Sequence, residues 1–318
     1  MRSAKHLNPL CLISAATLLL LGCVVGSYPA YLLGLAMVNV IAAVGLNLLV
    51  GNSGQISLCH SSFMAIGAYT SALLSTTVGL PFWCSVPVGA LIAAAVGAFL
   101  ALPARRLGGI YLALVTLGFL QIVQIVIEEF AELTGGVRGM TVSKPSIFGS
   151  PLGGYSIYCI ITVACIGAIW IAANLRNSRI GREFDAVRLS PHAAQALGLS
   201  VARVKLMAFA VSSAYAGFAG GLFAILVGFI DPNEFGIAAS LRQLTYIVVG
   251  GLGSIGGSVL GSVLLSGLPE VLRPVKEYTE VAYALILLAA LLFMPHGLNV
   301  ALRHLMKAHA PASKGALV

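Results

Sequence analysis

Polar side chains that could contact a polar solute are concentrated in one otherwise apolar part of the sequence. The stretch GNSGQISLCHSSFMAIGAY contains Gln55, Ser57, His60, Ser61 and Ser62. Their amide, hydroxyl and imidazole groups could line a path for such a solute. The alternative is a local role, because serine hydroxyls often bond to the backbone of their own helix. A histidine, likewise, more often makes one satisfied hydrogen bond than serves as a ligand.

Glycines are clustered in two regions, residues 51–54 and residues 250–261. Broken membrane helices expose unpaired backbone groups and helix ends, and transporters use these groups to bind charged solutes. Both regions therefore predict parts of a translocation path. The candidate path residues are Asn47, Gln55, Ser57, His60, Gly250, Gly251 and Gly253.

The sequence carries no recognisable pattern for catalysis or for ATP binding. No lysine follows a glycine, so the phosphate-binding G-K-[ST] loop is missing. The six cysteines form no C-x-x-C pair, and no metal-ligand spacing is visible. We therefore predict no catalytic residue, no cofactor site and no metal site, and we expect any ATP hydrolysis to occur in a separate subunit.

One internal segment, residues 176–205, is strongly basic. It reads RNSRIGREFDAVRLSPHAAQALGLSVARVK and lies between two long apolar runs, residues 155–175 and 206–230. An arginine at the centre of a membrane costs ~2.5–3.5 kcal/mol even on the lenient insertion scale. The segment is therefore predicted to be an aqueous loop, and its basic excess predicts a cytoplasmic position.

A short helix is predicted within this loop, at residues 191–197. Ser190 is a suitable N-cap, Pro191 suits the first helical position, and Gly198 suits the left-handed C-terminal position. The predicted surface of the helix is small and apolar, and consists of Ala193, Ala194, Ala196 and Leu197. Such a surface on an aqueous loop suggests docking into another protein; the alternative is packing on its own bundle.

The composition predicts a membrane protein. The 318 residues are 59% hydrophobic and only 9% charged, whereas soluble domains are about 25% charged. The fold class is therefore an all-α polytopic membrane helical bundle, with residues 1–318 forming one transmembrane domain. The net charge of +8 is explained by basic cytoplasmic loops, so no nucleic acid is expected as a partner.

The apolar runs predict about eight full spans, each near the ~20 residues that cross a bilayer. The first run resembles a secretory signal, but another run follows directly, so an uncleaved first span is favoured. A tail after about residue 303 is predicted to be disordered. The predicted spans are residues 7–25, 31–50, 57–77, 83–102, 110–127, 155–175, 206–230 and 281–294.

Residues 241–267 do not fit a simple count of spans. They are too few for two full crossings, which need ~40 residues. Two half-length helices that turn at residues 250–253 and 256–257 would fit, provided that protein or a water-filled cavity surrounds the irregular backbone. The alternative is one glycine-rich helix packed tightly on its neighbours.

The distribution of basic residues predicts the orientation of the chain. With the N-terminus inside, Arg105, Arg106 and residues 176–205 all fall on the cytoplasmic side, and the loop at residues 128–154 falls outside. A broken segment at residues 241–267 also returns the C-terminus to the cytoplasmic side. Both termini are therefore predicted to be cytoplasmic.

Four stretches of the sequence carry a family resemblance. They are GLNLLVGNSGQISLCHSSFMAIGAY, RRLGGIYLALVTLGFLQIVQ with the following LTGG, the segment at residues 176–209, and VVGGLGSIGGSVLGSVL. In these stretches the chain resembles the membrane permease subunits of bacterial branched-chain amino-acid ABC transporters. The TGG at residues 134–136 resembles one of two paralogous permease types. The resemblance implies the bacterial inner membrane, a paralogous permease partner, two cytoplasmic ATPases and a periplasmic solute-binding protein.

The same resemblance gives a role to the predicted short helix. Permeases of ABC importers carry an E-A-A-x-x-x-G coupling loop that docks into the ATPase, and HAAQALG occupies that motif here. His192 stands where glutamate is usual, which alters the electrostatics of docking. The implied coupling residues are Arg182, Arg188, Pro191, His192, Ala193, Ala194, Leu197 and Gly198.

The resulting functional prediction is an ATP-driven, binding-protein-dependent importer of branched-chain amino acids. Urea, amides or small aromatic acids are alternative solutes within the same family. An ion-coupled secondary transporter is an alternative of another class, but most acidic residues fall in loops or at span ends. A channel would need a pore-lining filter, and none is recognisable.

Overall fold

The computed structural model describes residues 26–104, 109–142, 145–147, 150–271 and 278–293. Three parts of the sequence interpretation lie outside the described residues: the predicted first span at residues 7–25, the basic pair Arg105 and Arg106, and the tail after residue 303. All the candidate path and coupling residues lie inside the described ranges.

Helices account for most of the described chain. They are α1 Ser27–Asn47, α2 His60–Thr76, α3 Phe82–Ala104, α4 Ile110–Glu129, α5 Ala131–Thr134, α6 Gly154–Asn177, α7 Arg179–Leu189, α8 Pro191–Ala196, α9 Val201–Val227, α10 Ile237–Gly250, α11 Ile255–Ser266, α12 Leu268–Val271 and α13 Thr279–Phe293. The prediction of an all-α membrane bundle is confirmed.

Short turns and strands connect these helices. The last turn of α1 widens into a π-turn, Leu48–Asn52, and 3-10 turns lie at Gly136–Arg138 and Pro232–Phe235. Four two-residue strands form two antiparallel pairs: β1 Met140–Thr141 with β4 Phe229–Ile230, and β2 Ser146–Ile147 with β3 Ser150–Pro151.

Five of the described helices are long and apolar enough to cross a membrane: Ser27–Asn52, Phe82–Pro103, Ile110–Glu129, Gly154–Asn177 and Val201–Val227. Helix α2, with 17 residues, and α13, described over 15 residues, are shorter. The count of about eight full spans stays a prediction, because the first of them lies outside the described ranges.

Helices α1 and α9 form the centre of the bundle. Helix α9 packs against α1, α2 and α3, while α1 also packs against α6, α10 and α11. Small residues allow these close approaches: Gly67 of α2 lies against the backbone of Gly217 in α9, which in turn lies against Ala93 of α3. As a result α1 is buried along most of its length, including Val38, Val40 and Ile41.

The bundle has two distinguishable ends. Helices α7 and α8 connect α6 to α9, and α7 packs beside the π-turn at the end of α1; we call this the coupling end. At the opposite end, Met140 pairs with Ile230 and Thr141 with Phe229, which ties the polar loop after α4 to the end of α9. The Thr134 hydroxyl accepts from the Gly136 amide at 3.1 Å and so fixes the TGG turn in this loop.

The glycine-rich segment is two helices, so the single-helix alternative is wrong. Helix α10 ends at Gly250 and α11 starts at Ile255, with Gly251 at φ +113° and Gly253 at φ +76° between them. The Ser254 hydroxyl caps α11 by accepting from the Gly257 amide at 3.1 Å. Because of this cap, residues 256–257 lie inside α11, so the second turn predicted there is wrong.

The two half-length helices are antiparallel and touch through glycines. Gly257 of α11 lies directly against the Gly250 carbonyl of α10, and Gly261 lies against the Tyr246 carbonyl. From the first contact to the second, the residue number rises by four in α11 and falls by four in α10, as in an antiparallel pair of helices. Both helices also pack on α1, and Gly251 and Gly253 of the turn are buried, as irregular backbone in a membrane must be.

Candidate functional site

Asn47, at the end of α1, holds the turn between α10 and α11. Its Oδ1 accepts a hydrogen bond from the Gly253 amide at 2.8 Å. Its Nδ2 donates to the Ser254 carbonyl at 3.0 Å and to the Ser258 hydroxyl at 2.6 Å. Asn47 is only 1% exposed, so these bonds are shielded from water. The side chain therefore supplies partners to backbone groups that the broken helix leaves unpaired.

The π-turn brings a second irregular backbone to the same place. Gly51 lies against both the Asn47 side chain and the backbone of Gly253, so a Cβ at position 51 would overlap both. Single π-turns within α-helices are frequent at functional sites. Two helix breaks from distant parts of the chain therefore meet at the coupling end of α1, and we call this contact the glycine junction.

The segment between the π-turn and α2 is irregular, and its polar side chains Gln55 and Ser57 are buried. The Gln55 Nε2 group donates to the Ser53 hydroxyl at 2.9 Å and to the Lys205 carbonyl at 3.5 Å. The Ser57 hydroxyl lies 3.4 Å from the Cys59 sulfur. Within the described ranges, Gln55 Oε1 and Asn52 Oδ1 are buried without a hydrogen-bond partner. These two oxygens are the acceptors that a polar solute or water could use near the glycine junction.

His60 has a structural partner. Its Nε2 lies 2.9 Å from the Ala42 carbonyl in the middle of α1, and the side chain is 1% exposed. Because a carbonyl oxygen only accepts, Nε2 carries the proton and donates it. The histidine thus ties the start of α2 to α1, which is the satisfied-hydrogen-bond interpretation rather than the ligand interpretation.

Ser61 and Ser62 behave differently from each other. The Ser61 hydroxyl lies 2.6 Å from the Ser240 hydroxyl and donates to the Gly236 carbonyl at 3.1 Å, so it joins α2 to α10 rather than to its own helix. The interpretation that the Ser61 hydroxyl bonds to the backbone of its own helix is therefore wrong. The Ser62 hydroxyl is buried and has no partner among the described residues.

A layer of polar side chains connects α1, α10 and α11, and it was not predicted from the sequence. The Gln243 Nε2 group donates to Asn39 Oδ1 at 3.0 Å, and Asn39 Nδ2 donates to the Ser266 hydroxyl at 3.0 Å. These residues come from three helices that are distant in the sequence, so no local pattern marks them as neighbours. One signal was available: Asn39 and Asn47 are the two amides in the otherwise apolar run of α1.

The predicted coupling helix is present with the predicted caps. The Ser190 hydroxyl accepts from the Ala193 amide at 3.2 Å, Pro191 occupies the first turn, and Gly198 has φ +81°. The helix is α8, Pro191–Ala196, one residue shorter than predicted. The caps therefore place this helix where the sequence indicated.

The exposed face of α8 differs from the predicted one. Leu197 is 82% exposed and Leu189, just before α8, is 85% exposed. His192 and Ala193 are also exposed. Ala194 is 2% exposed and packs into the core of its own chain, so its assignment to the outer surface is wrong. We call Leu189, His192, Ala193 and Leu197 the coupling rim.

Three basic residues of the segment, Arg179, Arg182 and Arg188, lie on a helix that the sequence interpretation missed, α7. Gly181, Phe184 and Val187 form its buried face, and Ser178 caps it by accepting from the Ile180 amide at 3.2 Å. Arg182 donates to the Asn177 carbonyl at 3.3 Å and is exposed. Arg188 donates to the Gly51 carbonyl and therefore reaches the glycine junction.

The end of the bundle opposite the coupling end contains a cavity of about 180 Å³. Its hydroxyl groups are bonded within the protein: Ser71 donates to the Gly67 carbonyl at 2.7 Å, and Ser75 donates to the Ala72 carbonyl at 2.9 Å. Leu80 and Phe82 line the cavity with apolar surface. The protons of these hydroxyls are thus already donated within the protein, and the cavity offers a solute few free donors.

Comparison with known proteins identifies the family to which these features correspond. Residues 28–294 match the family described as branched-chain amino acid transport system / permease component. The high-affinity branched-chain amino acid transport system permease protein LivM of Escherichia coli (strain K12) is 36% identical over 306 residues, which cover 88% of this chain and 72% of LivM.

More distant relatives carry related names. The permease protein LivH of the high-affinity branched-chain amino acid transport system, also from Escherichia coli (strain K12), is 30% identical over 80% of this chain and 89% of LivH. The autoinducer 2 import system permease protein LsrC of Enterobacter sp. (strain 638) is 29% identical over 81% of this chain and 77% of LsrC. No solved structure matches the chain.

Proposed function

The chain belongs to the family of branched-chain amino acid transport system permease components, and we propose that it moves branched-chain amino acids as a membrane-spanning subunit of an ATP-driven importer. One observation carries the mechanism. The short exposed helix α8 lies at the coupling end, where α7 contacts the π-turn and where the π-turn meets the break between α10 and α11. A partner that binds α8 therefore acts close to the irregular backbone of the bundle.

The coupling rim is the surface that we assign to the ATPase subunit. Leu189 and Leu197 expose most of their apolar side chains, and Ala193 is small enough to lie close to a partner groove. Burying exposed leucines contributes roughly 1.5–3 kcal/mol per side chain. Exposed charge pairs contribute only about 0–1 kcal/mol each, so packing rather than charge dominates this contact.

The translocation path is assigned to the polar groups on and beside α1. Asn39 and Gln243 form one polar level, and Gln55 with Asn47 forms a second level at the glycine junction. Gly250, Gly251 and Gly253 contribute the helix break itself. Ser57 is buried in the segment between the π-turn and α2, and we assign His60 to fixing α2 on α1 rather than to binding the solute.

The remaining subunits follow from the importer class. We assign a paralogous permease as the second membrane subunit, two cytoplasmic ATPases beneath the coupling rim, and a solute-binding protein at the opposite end. In this assembly the coupling end faces the cytoplasm, both termini are cytoplasmic, and the loop after α4 lies outside. The basic residues of α7 support this orientation because basic loops favour the cytoplasmic side.

An ion-coupled transporter of the same shape is less well supported. Such proteins place carboxylates or histidines in their spans as ion sites. Here the His60 proton is already donated to the Ala42 carbonyl, and Glu128 and Glu129 lie at the end of α4. Urea, amides and small aromatic acids remain alternative solutes, since the relative LsrC is named for import of autoinducer 2.

Purification of the native complex tests the proposal. The tagged chain is extracted in mild detergent, and the co-purifying subunits and bound solutes are identified by mass spectrometry. We expect an ATPase, a second permease of the same family and, when the binding protein is added, a branched-chain amino acid. Recovery of the chain without any ATPase, together with ion-driven uptake in vesicles, would support the secondary transporter instead.

A further inference from the structure

Arg188 occupies an unusual position between the coupling rim and the glycine junction. It is one residue beyond Val187, which anchors α7 in the core, and two residues before Ser190, which caps α8. The residue as a whole is exposed, yet its Nη1 donates to the Gly51 carbonyl in the π-turn. One side chain thus bonds the docking segment to the end of α1, 137 positions away.

Three glycines make room for this side chain. A Cβ added at Gly54 would lie 3.2 Å from Arg188 Cγ, and one added at Gly253 would lie 3.1 Å from Arg188 Nη1. Both glycines have positive φ, +72° and +76°, which other residues rarely adopt. The stem of Arg188 therefore lies along Gly54, and its guanidinium lies between Gly51 and Gly253.

The charge of Arg188 is directed to backbone rather than to a carboxylate. In the part of the chain that the structure describes, the ion pairs are Arg179 with Glu183 at 3.2 Å and Arg242 with Glu234 at 3.9 Å. Neither pair includes Arg188, although Glu183 and Asp185 lie on the same helix. Hydrogen bonds to a charged donor are about twice as strong as neutral ones, which suits a contact that must transmit force.

We propose that Arg188 is a positioning residue that transmits movement of the coupling rim to the glycine junction, an inference that rests on the proposed function as an ATP-driven importer. When the ATPase shifts α8, Arg188 pulls on the Gly51 carbonyl. Gly51 abuts Gly253, which is bonded to Asn47. The π-turn and the break between α10 and α11 therefore move together. This role differs from a salt bridge between Arg188 and an acidic group of the ATPase.

The test compares Arg188→Gln with Arg179→Gln in the complete purified complex. Arg179 lies on the same helix and carries the same charge, but its guanidinium pairs with Glu183 one turn along that helix, so it is a matched control. The quantities measured are ATPase co-purification, ATP hydrolysis and solute uptake in proteoliposomes. We expect Arg188→Gln to retain the ATPase but to lower the uptake per ATP hydrolysed several-fold, while Arg179→Gln matches the wild type.

A second readout does not depend on uptake. Leu252, in the turn between α10 and α11, is 46% exposed, so Leu252→Cys in a cysteine-free background reports on the turn by its rate of maleimide labelling. We expect this rate to change when a non-hydrolysable ATP analogue binds the wild-type complex and to stay constant in Arg188→Gln. Arg188→Lys, which keeps a charged donor, should restore part of the response.

The outcomes separate the inference from the proposed function. Absence of ATP-dependent uptake by the wild-type complex would contradict the proposed function. In a second contrary result, wild-type uptake depends on ATP while Arg188→Gln keeps both the wild-type uptake per ATP hydrolysed and the wild-type change in labelling rate. That result would overturn the role of Arg188. Loss of the ATPase from Arg188→Gln would also overturn it, because it would assign Arg188 to docking. A thermal unfolding midpoint equal to that of Arg179→Gln shows that Arg188→Gln is folded.

Discussion

Asn47 and Gly253 are 206 positions apart in the chain, yet the Asn47 Oδ1 atom accepts a hydrogen bond from the Gly253 amide at 2.8 Å. The bond joins the end of the central helix α1 to the break between α10 and α11. It is buried, so water cannot replace it. The structure of the glycine junction therefore depends on a side-chain amide that both donates and accepts.

Replacing Asn47 tests how much the junction relies on that amide. In Asn47→Leu the Gly253 amide and the Ser254 carbonyl lose their side-chain partner within the protein. A buried polar group without a partner costs about 1–3 kcal/mol. We expect a lower thermal unfolding midpoint in detergent and loss of uptake.

The control is Asn233→Leu. Asn233 is exposed and bonds to Asp231 within its own turn at 2.9 Å, so its replacement should change the midpoint little. Equal midpoints for the two variants would show that the glycine junction is held by other contacts.

Two adjacent glycines in α11 give a pair of variants that tests the contact between α10 and α11. Gly257 lies directly against the Gly250 carbonyl, whereas a Cβ at Gly256 would meet nothing within 4 Å. Both are helical, so both gain similar helix propensity on replacement by alanine. We expect Gly257→Ala to lower the unfolding midpoint and Gly256→Ala to leave it unchanged or raise it. A higher midpoint for Gly257→Ala would contradict the close antiparallel contact of α10 and α11.

The sequence was informative wherever the structure is decided by local chemistry. Ser190, Pro191 and Gly198 predicted α8 because a cap, a first-turn proline and a left-handed glycine act within a few residues. Glycine clustering likewise predicted the break after Gly250. Helix α7 was missed because its buried Phe184 and Val187 alternate with charged residues, which led us to treat the whole segment as a loop.

Contacts between distant parts of the chain could not be predicted. Asn39 finds Gln243 and Ser266 only because α1 lies between α10 and α11, and no local pattern encodes that neighbourhood. The same limit applies to Ala194. Its small side chain suits a docking surface, but the orientation of α8 on the bundle turns it inward.

His60 distinguishes a structural role from a role in binding the solute. Glutamine can place its side-chain nitrogen near the position of the histidine Nε2, whereas asparagine is too short to reach the Ala42 carbonyl. We expect His60→Gln to retain its unfolding midpoint and its uptake, and His60→Asn to lose about 1–3 kcal/mol of stability because the buried asparagine amide is left without this acceptor. A folded His60→Gln variant without uptake would assign His60 to the path itself.

Two variants of the coupling segment separate docking from folding. Leu197 is 82% exposed and Ala194 is 2% exposed. Leu197→Glu should therefore leave the permease folded and release the ATPase, because it puts a charge into an apolar contact. Ala194→Asp should destabilise the permease itself, because an unpaired buried charge is costly.

Co-purification of the ATPase and the unfolding midpoint of the isolated permease measure these two effects. Gln195→Ala serves as the control, because Gln195 is exposed on the same helix and lies outside the coupling rim. If Leu197→Glu retains the ATPase in full while Gln195→Ala releases it, the coupling rim as we define it is not the docking surface.

Uptake of radiolabelled leucine into proteoliposomes tests the central claim most directly. The vesicles contain the chain with its partner permease and ATPase subunits, the binding protein is added with the solute, and ATP is enclosed on the coupling-end side. We predict leucine accumulation that requires both ATP and the binding protein and that stops with a hydrolysis-deficient ATPase. Accumulation driven by a proton or sodium gradient without ATP would contradict the account.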